Sequence, residues 1–261
     1  MGFLVNSYRF VAPTTVYTDV DELKAYYKFD EASGNLINQA TAAGSSDSLG
    51  TAADGVGSGG RTYGGAGIID DSILFNGTNG YFTISTDPSI FNFMQGAGST
   101  FSINVWYKKA SVGADLGMFF GQNQGSGTDA QERGCALFTN SVTSITCYIA
   151  TGETNYYVNG SVANTIVNDT NWNMLTITYD EDGGSNNFKV YKNGAFIGAL
   201  TGSTTVSANT PEWDARIGVD GDANQNFTNG SFDEWSIWAR VLSADDITEL
   251  YNSGEAAAID G

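Results

Sequence analysis

The chain has 261 residues, a length that suits a single all-β domain. Its net charge of −18 at pH 7 disfavours nucleic acid and a bare anionic membrane as partners, because both carry negative charge. Histidine is absent, which excludes Ser–His–Asp and Cys–His catalysis and the usual zinc and haem ligation. No apolar stretch is long enough to span a bilayer, so membrane insertion is not expected.

Residues 1–22 predict an N-terminal arm that lies outside the domain. The start, MGFLVNSYRF, lacks the uninterrupted apolar core of a secretion signal, because polar residues follow Val5 at once. Free termini fray unless something holds them, so an arm rich in large apolar residues is expected to dock on a neighbouring subunit of an oligomer or larger assembly. The residues expected to make this contact are Phe3, Leu4, Tyr8 and Phe10.

The first strand of the domain is predicted at LKAYYKFD, residues 23–30. Residues 33–67 are rich in Gly, Ala and Ser and poor in large apolar residues, so a long surface loop is expected there. Two Asn-Gly pairs in SILFNGTNGYFTI mark tight turns between strands. The next strand, FSINVWYKK, alternates cleanly, which predicts four core-facing side chains: Phe101, Ile103, Val105 and Tyr107.

The two cysteines lie in the hairpin that follows. A hairpin centred on a polar turn near Ser141 would place Cys135 opposite Cys147. Two states are then possible, a cross-strand disulfide or a pair of half-buried thiols. Five more strands are predicted around two acidic loops, in NWNMLTITYDEDGGSNNFKVYKNGAFIGAL and ARIGVDGDANQNFTNGSFDEWSIWARVL.

One short helix is predicted at SADDITELYNSG. Ser243 is a natural N-cap, and two aspartates occupy the first turn, where the helix dipole favours negative charge. Gly254 is expected to end the helix. The apolar stripe that would pack on the strands is Ile247, Leu250 and Tyr251.

Taken in order, five segments resemble the laminin G-like, concanavalin A-like jelly-roll family. They are AYYKFDEASGN, LFNGTNGYFTI, FSINVWYKK, NWNMLTITYDEDGGSNNFKVYKNGAFIG and GSFDEWSIWARVLSADDITELYNSG. The resemblance covers residues 23–254, and its last segment is the most distinctive. It implies an all-β fold, a two-sheet antiparallel β-sandwich with one short C-terminal helix, an extended arm at 1–22 and a tail at 255–261.

The resemblance also implies a binding function. Family members are mostly binding modules, often for glycans, and many hold a structural calcium ion. In related calcium-bearing jelly rolls, carboxylates at the end of the first strand and the start of the last share one ion with backbone carbonyls, which implies a calcium site at Asp30 and Asp233. The alternative is that Asp30 caps a turn and Asp233 accepts backbone hydrogen bonds.

A second candidate site is the loop VDGDANQN. It begins like an EF-hand, but it has no glycine at the sixth place, and Ser231 stands where the bidentate glutamate should be. Two interpretations stay open: a polar rim that binds sugar or a cation, with Trp213 as a stacking platform, or a solvated turn with Trp213 in the core. The candidate side chains of the loop are Asp220, Asp222, Asn224 and Asn226.

Trp106 is a third candidate, because it lies on the face of its strand opposite Ile103 and Val105. On a concave sheet it would be a sugar-facing aromatic residue. The alternative is that this face is also covered, by loops such as 33–67, and that Trp106 belongs to the core.

An enzyme is not expected. Glycoside hydrolases of this fold place several carboxylates at alternating positions of one strand, so that they face the cleft together. Here TDVDEL precedes the sandwich, YDEDGG lies on a turn, and the adjacent Asp233 and Glu234 are expected to point to opposite faces.

The start of the chain, its acidity and the lectin-like sandwich together predict a surface component of a bacteriophage virion: a decoration, tail or fibre protein made in the host cytoplasm. Its partners would be other virion subunits, through the arm, and host-surface glycans, through the rim loops. A stand-alone extracellular carbohydrate-binding module or adhesin of bacterial origin is the alternative.

Overall fold

The fold was analysed in a computed structural model, which describes residues 15–111, 117–122, 134–141, 144–150, 157–163, 170–200, 211 and 213–260. The arm residues Phe3, Leu4, Tyr8 and Phe10 lie outside the described residues.

Short strands are the predominant secondary structure of the described chain, as the alternating apolar pattern predicts. In chain order they are β1 (Val16–Tyr17), β2 (Leu23–Tyr27), β3 (Val56–Ser58), β4 (Arg61–Ala66), β5 (Asp71–Asn76), β6 (Tyr81–Ser85), β7 (Thr100–Lys109), β8 (Gly117–Gly121), β9 (Cys135–Ser141), β10 (Ser144–Ala150), β11 (Tyr157–Ala163), β12 (Asn173–Asp180), β13 (Phe188–Lys192), β14 (Ala195–Leu200), β15 (Ala215–Ile217), β16 (Asn229–Trp238) and β17 (Ala258–Ile259). The helix α1 spans Ala244–Tyr251. No helix among these described elements has the length and apolar character needed to cross a bilayer.

The strands form two facing antiparallel sheets, so the predicted β-sandwich is confirmed. A seven-stranded sheet has the order β11-β10-β9-β8-β15-β6-β3. An eight-stranded sheet has the order β14-β13-β12-β7-β16-β5-β4, with β2 also paired to β16. The parallel pair β1–β17 lies apart from both sheets and joins the two ends of the described chain.

The main core lies between the two sheets and follows the period of two. The four side chains of β7 predicted to face inward do so, together with aromatic side chains from both sheets. Phe29 contacts the rings of Phe75, Phe82 and Phe232 edge to face, at centroid distances of 6.2–6.4 Å.

A second group of buried apolar side chains, the outer cluster, covers the other face of the eight-stranded sheet. The sheet contributes Trp106, Met174 and Trp238 to this cluster, and α1 packs on them with Ile247 and Leu250. The helix is the one predicted. Its N-terminus is held by a capping box, in which the Ser243 hydroxyl accepts the Asp246 N–H and the Asp246 carboxylate accepts the Ser243 N–H.

The end of the helix differs from the prediction. The α-helix stops at Tyr251, because Asn252 already adopts the left-handed conformation, with φ 46°, two residues before Gly254, whose φ is 98°. Asparagine is the usual substitute for glycine at this position.

The prediction of a surface loop over residues 33–67 is wrong. This segment contains β3, an edge strand of the seven-stranded sheet, and β4, an edge strand of the eight-stranded sheet. It also buries Leu36 and Ala53 in the main core and Ala40 in the outer cluster. Small side chains let the backbone approach the sheets closely, for example where the Gln39 N–H donates to the Tyr26 carbonyl at 2.7 Å.

The two cysteines are not opposite neighbours, so that prediction is also wrong. Cys147 lies opposite Leu137, and Cys135 lies opposite Ile149. The register differs because Ser141 pairs with Ser144, which moves the centre of the hairpin past Ser141. Both thiols are free and buried in the main core.

Candidate functional site

Trp106 belongs to the outer cluster. It is 2% exposed, and the Tyr251 ring stacks on it at a centroid distance of 5.8 Å and an interplanar angle of 19°. Ala40, from the segment 33–67, lies in the same cluster. This burial agrees with the alternative in which Trp106 packs in the core, because neither face of the indole is open to a sugar.

Asp30 and Asp233 both accept backbone hydrogen bonds. Asp233 Oδ2 accepts the N–H groups of Ile68 and Ile69 at 2.7 and 3.1 Å, and Asp30 Oδ1 accepts the Asp71 N–H at 3.0 Å. The two carboxylates are also near enough for their charges to interact, and this repulsion adds to burial in raising the pKa of Asp233. Backbone hydrogen bonding is thus present at both residues predicted to bind calcium.

Glu234 lies on the same face as Asp233, so the expectation of opposite faces is wrong. A β-bulge in β16 is the reason. Asp233 pairs with Trp106 and Ser236 pairs with Asn104, so β16 has one more residue than β7 between these two pairs. Glu234 occupies the bulge with φ 48° and turns its carboxylate towards Tyr26, whose hydroxyl donates a hydrogen bond to Glu234 Oε2. Only the two consecutive acids in an apolar strand hinted at this arrangement.

The acidic pair, Asp233 and Glu234, is deeply buried, with exposures of 0% and 3%. Burial raises the pKa of Glu234 to about 8, and burial together with the Glu234 charge raises the pKa of Asp233. One oxygen of each side chain, Asp233 Oδ1 and Glu234 Oε1, is buried without a hydrogen-bond partner. Unpartnered carboxylate oxygens suit either a proton or a hard cation.

A calcium ion at this position would depend on the backbone. Within the described ranges, no group of three or more Asp, Glu, Cys or His side chains is placed to hold a metal ion. Asp30 and Asp233 would therefore supply two ligands, and carbonyl and water oxygens would complete the six or more that calcium requires. The unpartnered Asp233 Oδ1 fits this chemistry, and the calcium site stays a prediction.

The loop 220–226 closes around its first carboxylate. Asp220 is fully buried, and its two oxygens accept the N–H groups of Asn224 and Gln225 and the side-chain amide of Asn226. Burial, together with a hydrogen bond to Asp222 and its charge, raises the pKa of Asp220 to about 7. Asp220 thus organises the loop, while Asn224 is exposed and Asp222 and Asn226 are half-buried at its rim.

Next to this loop, the outer face of the seven-stranded sheet carries polar and aromatic side chains that sequence reasoning missed. Phe82 on β6 and Ile217 on β15 point into the main core, so their neighbours along each strand point outward. Thr83 and Arg216 lie opposite each other in the register of these strands. We call this set the Tyr81 surface; its residues are Tyr81, Thr83, Asp214, Arg216 and Phe227.

The Tyr81 ring is the centre of this surface. It lies 6.4 Å from the Phe227 ring and 5.7 Å from the Arg216 guanidinium. Arg216 also donates to Thr83 Oγ1 at 3.3 Å and to Asp214 Oδ2 at 2.7 Å. Trp213, which directly precedes Asp214, is half-buried rather than fully in the core. Alternation in ARIGV could have placed Arg216 outward, but nothing in the sequence paired it with Tyr81.

Half-exposed aromatic rings beside carboxylate and amide groups have a defined chemical use. The rings accept the C–H faces of pyranoses, and the Asp214, Asn224 and Asn226 side chains can hydrogen bond to hydroxyl groups. Such a surface is chemically suited to bind a polyol without any covalent step.

Solved structures with a similar fold include three botulinum neurotoxin chains. The binding domain of neurotoxin DC in complex with SialylT has 16% identity over 90% of this chain and 52% of that chain, with a TM-score of 0.61. A type C neurotoxin, whose cell entry depends on interaction with two ganglioside molecules, has 15% identity over 89% and 51%, with a TM-score of 0.60. The DC binding domain in complex with rat synaptotagmin II has 15% identity over 89% and 51%, with a TM-score of 0.58.

At these identities the likeness concerns the fold alone, and the present chain spans about half the length of those chains. No curated protein matches the sequence. The model of the laminin G-like family of the concanavalin A-like lectin/glucanases superfamily matches residues 76–248, which include β6, β15, β16 and most of the helix. The chain therefore belongs to the concanavalin A-like lectin/glucanase superfamily.

Proposed function

We propose that the protein is a non-enzymatic binding module that recognises a glycan at the Tyr81 surface and the adjoining loop 220–226. The observation that carries this proposal is the position of the Tyr81 ring, half-exposed beside Phe227 and Arg216. An aromatic ring held in place by neighbouring side chains presents a fixed platform for a sugar at little entropic cost.

The choice of sheet face follows from what covers the other one. Helix α1 and the paired terminal strands lie over the outer cluster, so Trp106 is closed off. Similar folds occur in binding domains in complex with SialylT and in a neurotoxin that interacts with gangliosides, which supports a glycan as the ligand class.

The absence of catalysis is part of the proposal. A glycoside hydrolase needs two carboxyl groups that face a cleft open to the substrate. The acidic pair Asp233 and Glu234 is instead buried under the backbone of Ile68 and Ile69 and is hydrogen bonded to Tyr26.

Structural calcium at Asp30 and Asp233 belongs to the same proposal. An ion there would neutralise the acidic pair and link β16 to the segment between β4 and β5, which contains Ile68 and Ile69. Its role would be stability rather than direct contact with the sugar.

The cellular setting that we propose is the surface of a virion, with other virion subunits as partners through the arm residues Phe3, Leu4, Tyr8 and Phe10. An extracellular bacterial binding module is the alternative. Native mass measurement on the wild type, and on a variant with these four residues replaced by alanine, separates the virion component from the free module. An assembly that the replacements abolish supports the virion component. A free monomer in both proteins contradicts it.

The test of the glycan function is a glycan array probed with the wild-type chain, Tyr81→Ala and Phe196→Ala. Phe196 is the matched control, because it is a 57% exposed aromatic side chain on β14 of the other sheet. We expect Tyr81→Ala to weaken binding at least about tenfold, as loss of one stacking ring does. Phe196→Ala should bind like the wild type. Absence of binding by the wild type to every glycan would overturn the proposal.

A further inference from the structure

We infer that the Tyr81 surface selects uncharged sugars over sugars that carry a carboxylate or sulfate, and that Asp214 sets this preference. The inference rests on the proposed function and adds the chemical class of the ligand to it. It follows from how the charges of the surface are paired.

Arg216 is already engaged by the protein. Its Nη2 donates to Asp214 at 2.7 Å, its Nε donates to Thr83, and its guanidinium carbon lies over the Tyr81 ring. The Arg216 Nη1 atom has no partner, but it is buried. The guanidinium therefore positions Tyr81 and offers little to an incoming anion.

Asp214 is the more accessible member of the ion pair. Its side chain is 32% exposed, whereas that of Arg216 is 12% exposed. A ligand that approaches Tyr81 thus meets a hydrogen-bond acceptor, which suits the hydroxyl groups of a neutral pyranose and repels a carboxylate or sulfate.

Other negative charges near the Tyr81 surface also disfavour an anionic ligand. Asp222 is half-exposed on the adjoining loop, and the chain as a whole carries a charge of −18. Arg61, a second cation near Tyr81, holds its guanidinium 4.7 Å from the buried Phe82 ring and donates to the Tyr81 carbonyl. The Arg61 guanidinium is therefore already engaged by backbone carbonyls and an aromatic ring.

The experiment compares neutral glycans with their sialylated and sulfated counterparts on one array, at about 0.15 M and about 0.5 M salt. We expect the wild type to prefer the neutral member of each pair at least about tenfold at the lower salt, and less at the higher salt, because salt screens exposed charges. Asp214→Asn keeps the side-chain shape and removes the charge. It should therefore lower the ratio of neutral to charged glycan binding at least about threefold. Asp214→Glu keeps the charge and should keep the preference.

Glu249→Gln is the control, because it removes one negative charge from an exposed position on α1, over the other sheet. It should leave the preference unchanged. Equal or tighter binding of the charged glycans by the wild type would overturn the inference while upholding the proposed function. If Glu249→Gln lowered the ratio of neutral to charged glycan binding as much as Asp214→Asn does, the role of Asp214 would be overturned. No binding to any glycan would overturn the proposed function itself.

Discussion

The Tyr26 hydroxyl donates a hydrogen bond to the carboxyl group of Glu234, in a place that water does not reach. Tyr26 also accepts the Ile259 N–H at 3.5 Å, which connects the buried acid to the C-terminal strand β17. Glu234 is next to the equally buried Asp233, and the two cannot both be ionised there without a large cost in free energy. The bulge in β16 therefore creates a buried acidic pair that requires a proton or a cation.

The first prediction is that stability falls as pH rises from about 5 to about 8. The pKa of Glu234 is raised from 4.5 to about 8 in the folded chain, so the folded state binds more protons than the unfolded state in this window. By linkage, the free energy of unfolding then decreases with increasing pH. Urea unfolding at pH 5 and pH 8, in a chelating buffer, measures the difference.

The matched variant for this prediction is Glu234→Gln, which keeps an acceptor for Tyr26 but cannot ionise. It should match the wild type at pH 5 and be more stable at pH 8 by about 1–3 kcal/mol, because each pKa unit corresponds to about 1.4 kcal/mol. Parallel pH curves for the two proteins would show that Glu234 does not titrate as described.

The second prediction concerns calcium. If an ion binds at Asp30 and Asp233, millimolar calcium at pH 7.5 should raise the Tm of the wild type, because a ligand that binds only the folded state stabilises it. Asp233→Asn should abolish the shift, and Asp182→Asn, at an exposed position after β12, should keep it. A Tm of the wild type that is the same in calcium and in EDTA would remove calcium from the proposal.

The third prediction separates Trp106 from the glycan surface. Tyr251→Ala removes the ring that stacks on Trp106 and leaves a cavity under the end of α1, so we expect a loss of about 2–4 kcal/mol in the free energy of unfolding. Glycan binding by the folded fraction should not change, because the Tyr81 surface lies on the other sheet. Loss of glycan binding without loss of stability would instead place a sugar contact at Tyr251, outside the Tyr81 surface.

Period-two alternation was enough to predict the inward face of β7, because a strand with one buried face alternates apolar and polar residues. The two-sheet sandwich was implied by the resemblance to the laminin G-like family. The start of the helix was predictable because its capping box is local. The strands β3 and β4 were not, since small residues that pack against backbone resemble a loop in composition. The bulge at Glu234 was hidden as well, because a single extra residue reverses the expected side of a carboxylate. Tyr81 and Arg216 meet only through the pairing of β6 with β15, which joins segments more than 100 residues apart in the chain.

The last prediction concerns the two thiols. Cys135 and Cys147 occupy diagonal positions on neighbouring strands, where side chains lie too far apart for a disulfide without movement of the backbone. Burial raises the pKa of both thiols, so neither forms the reactive thiolate at neutral pH. We expect no reaction with a thiol reagent in the native state, two reactive thiols in urea, and the same mass with and without reductant. Replacement of either cysteine by alanine should cost about 1–2 kcal/mol, because each packs as a small apolar side chain in the main core. A mass lower by two hydrogens without reductant would show that the hairpin adopts the register with opposed cysteines.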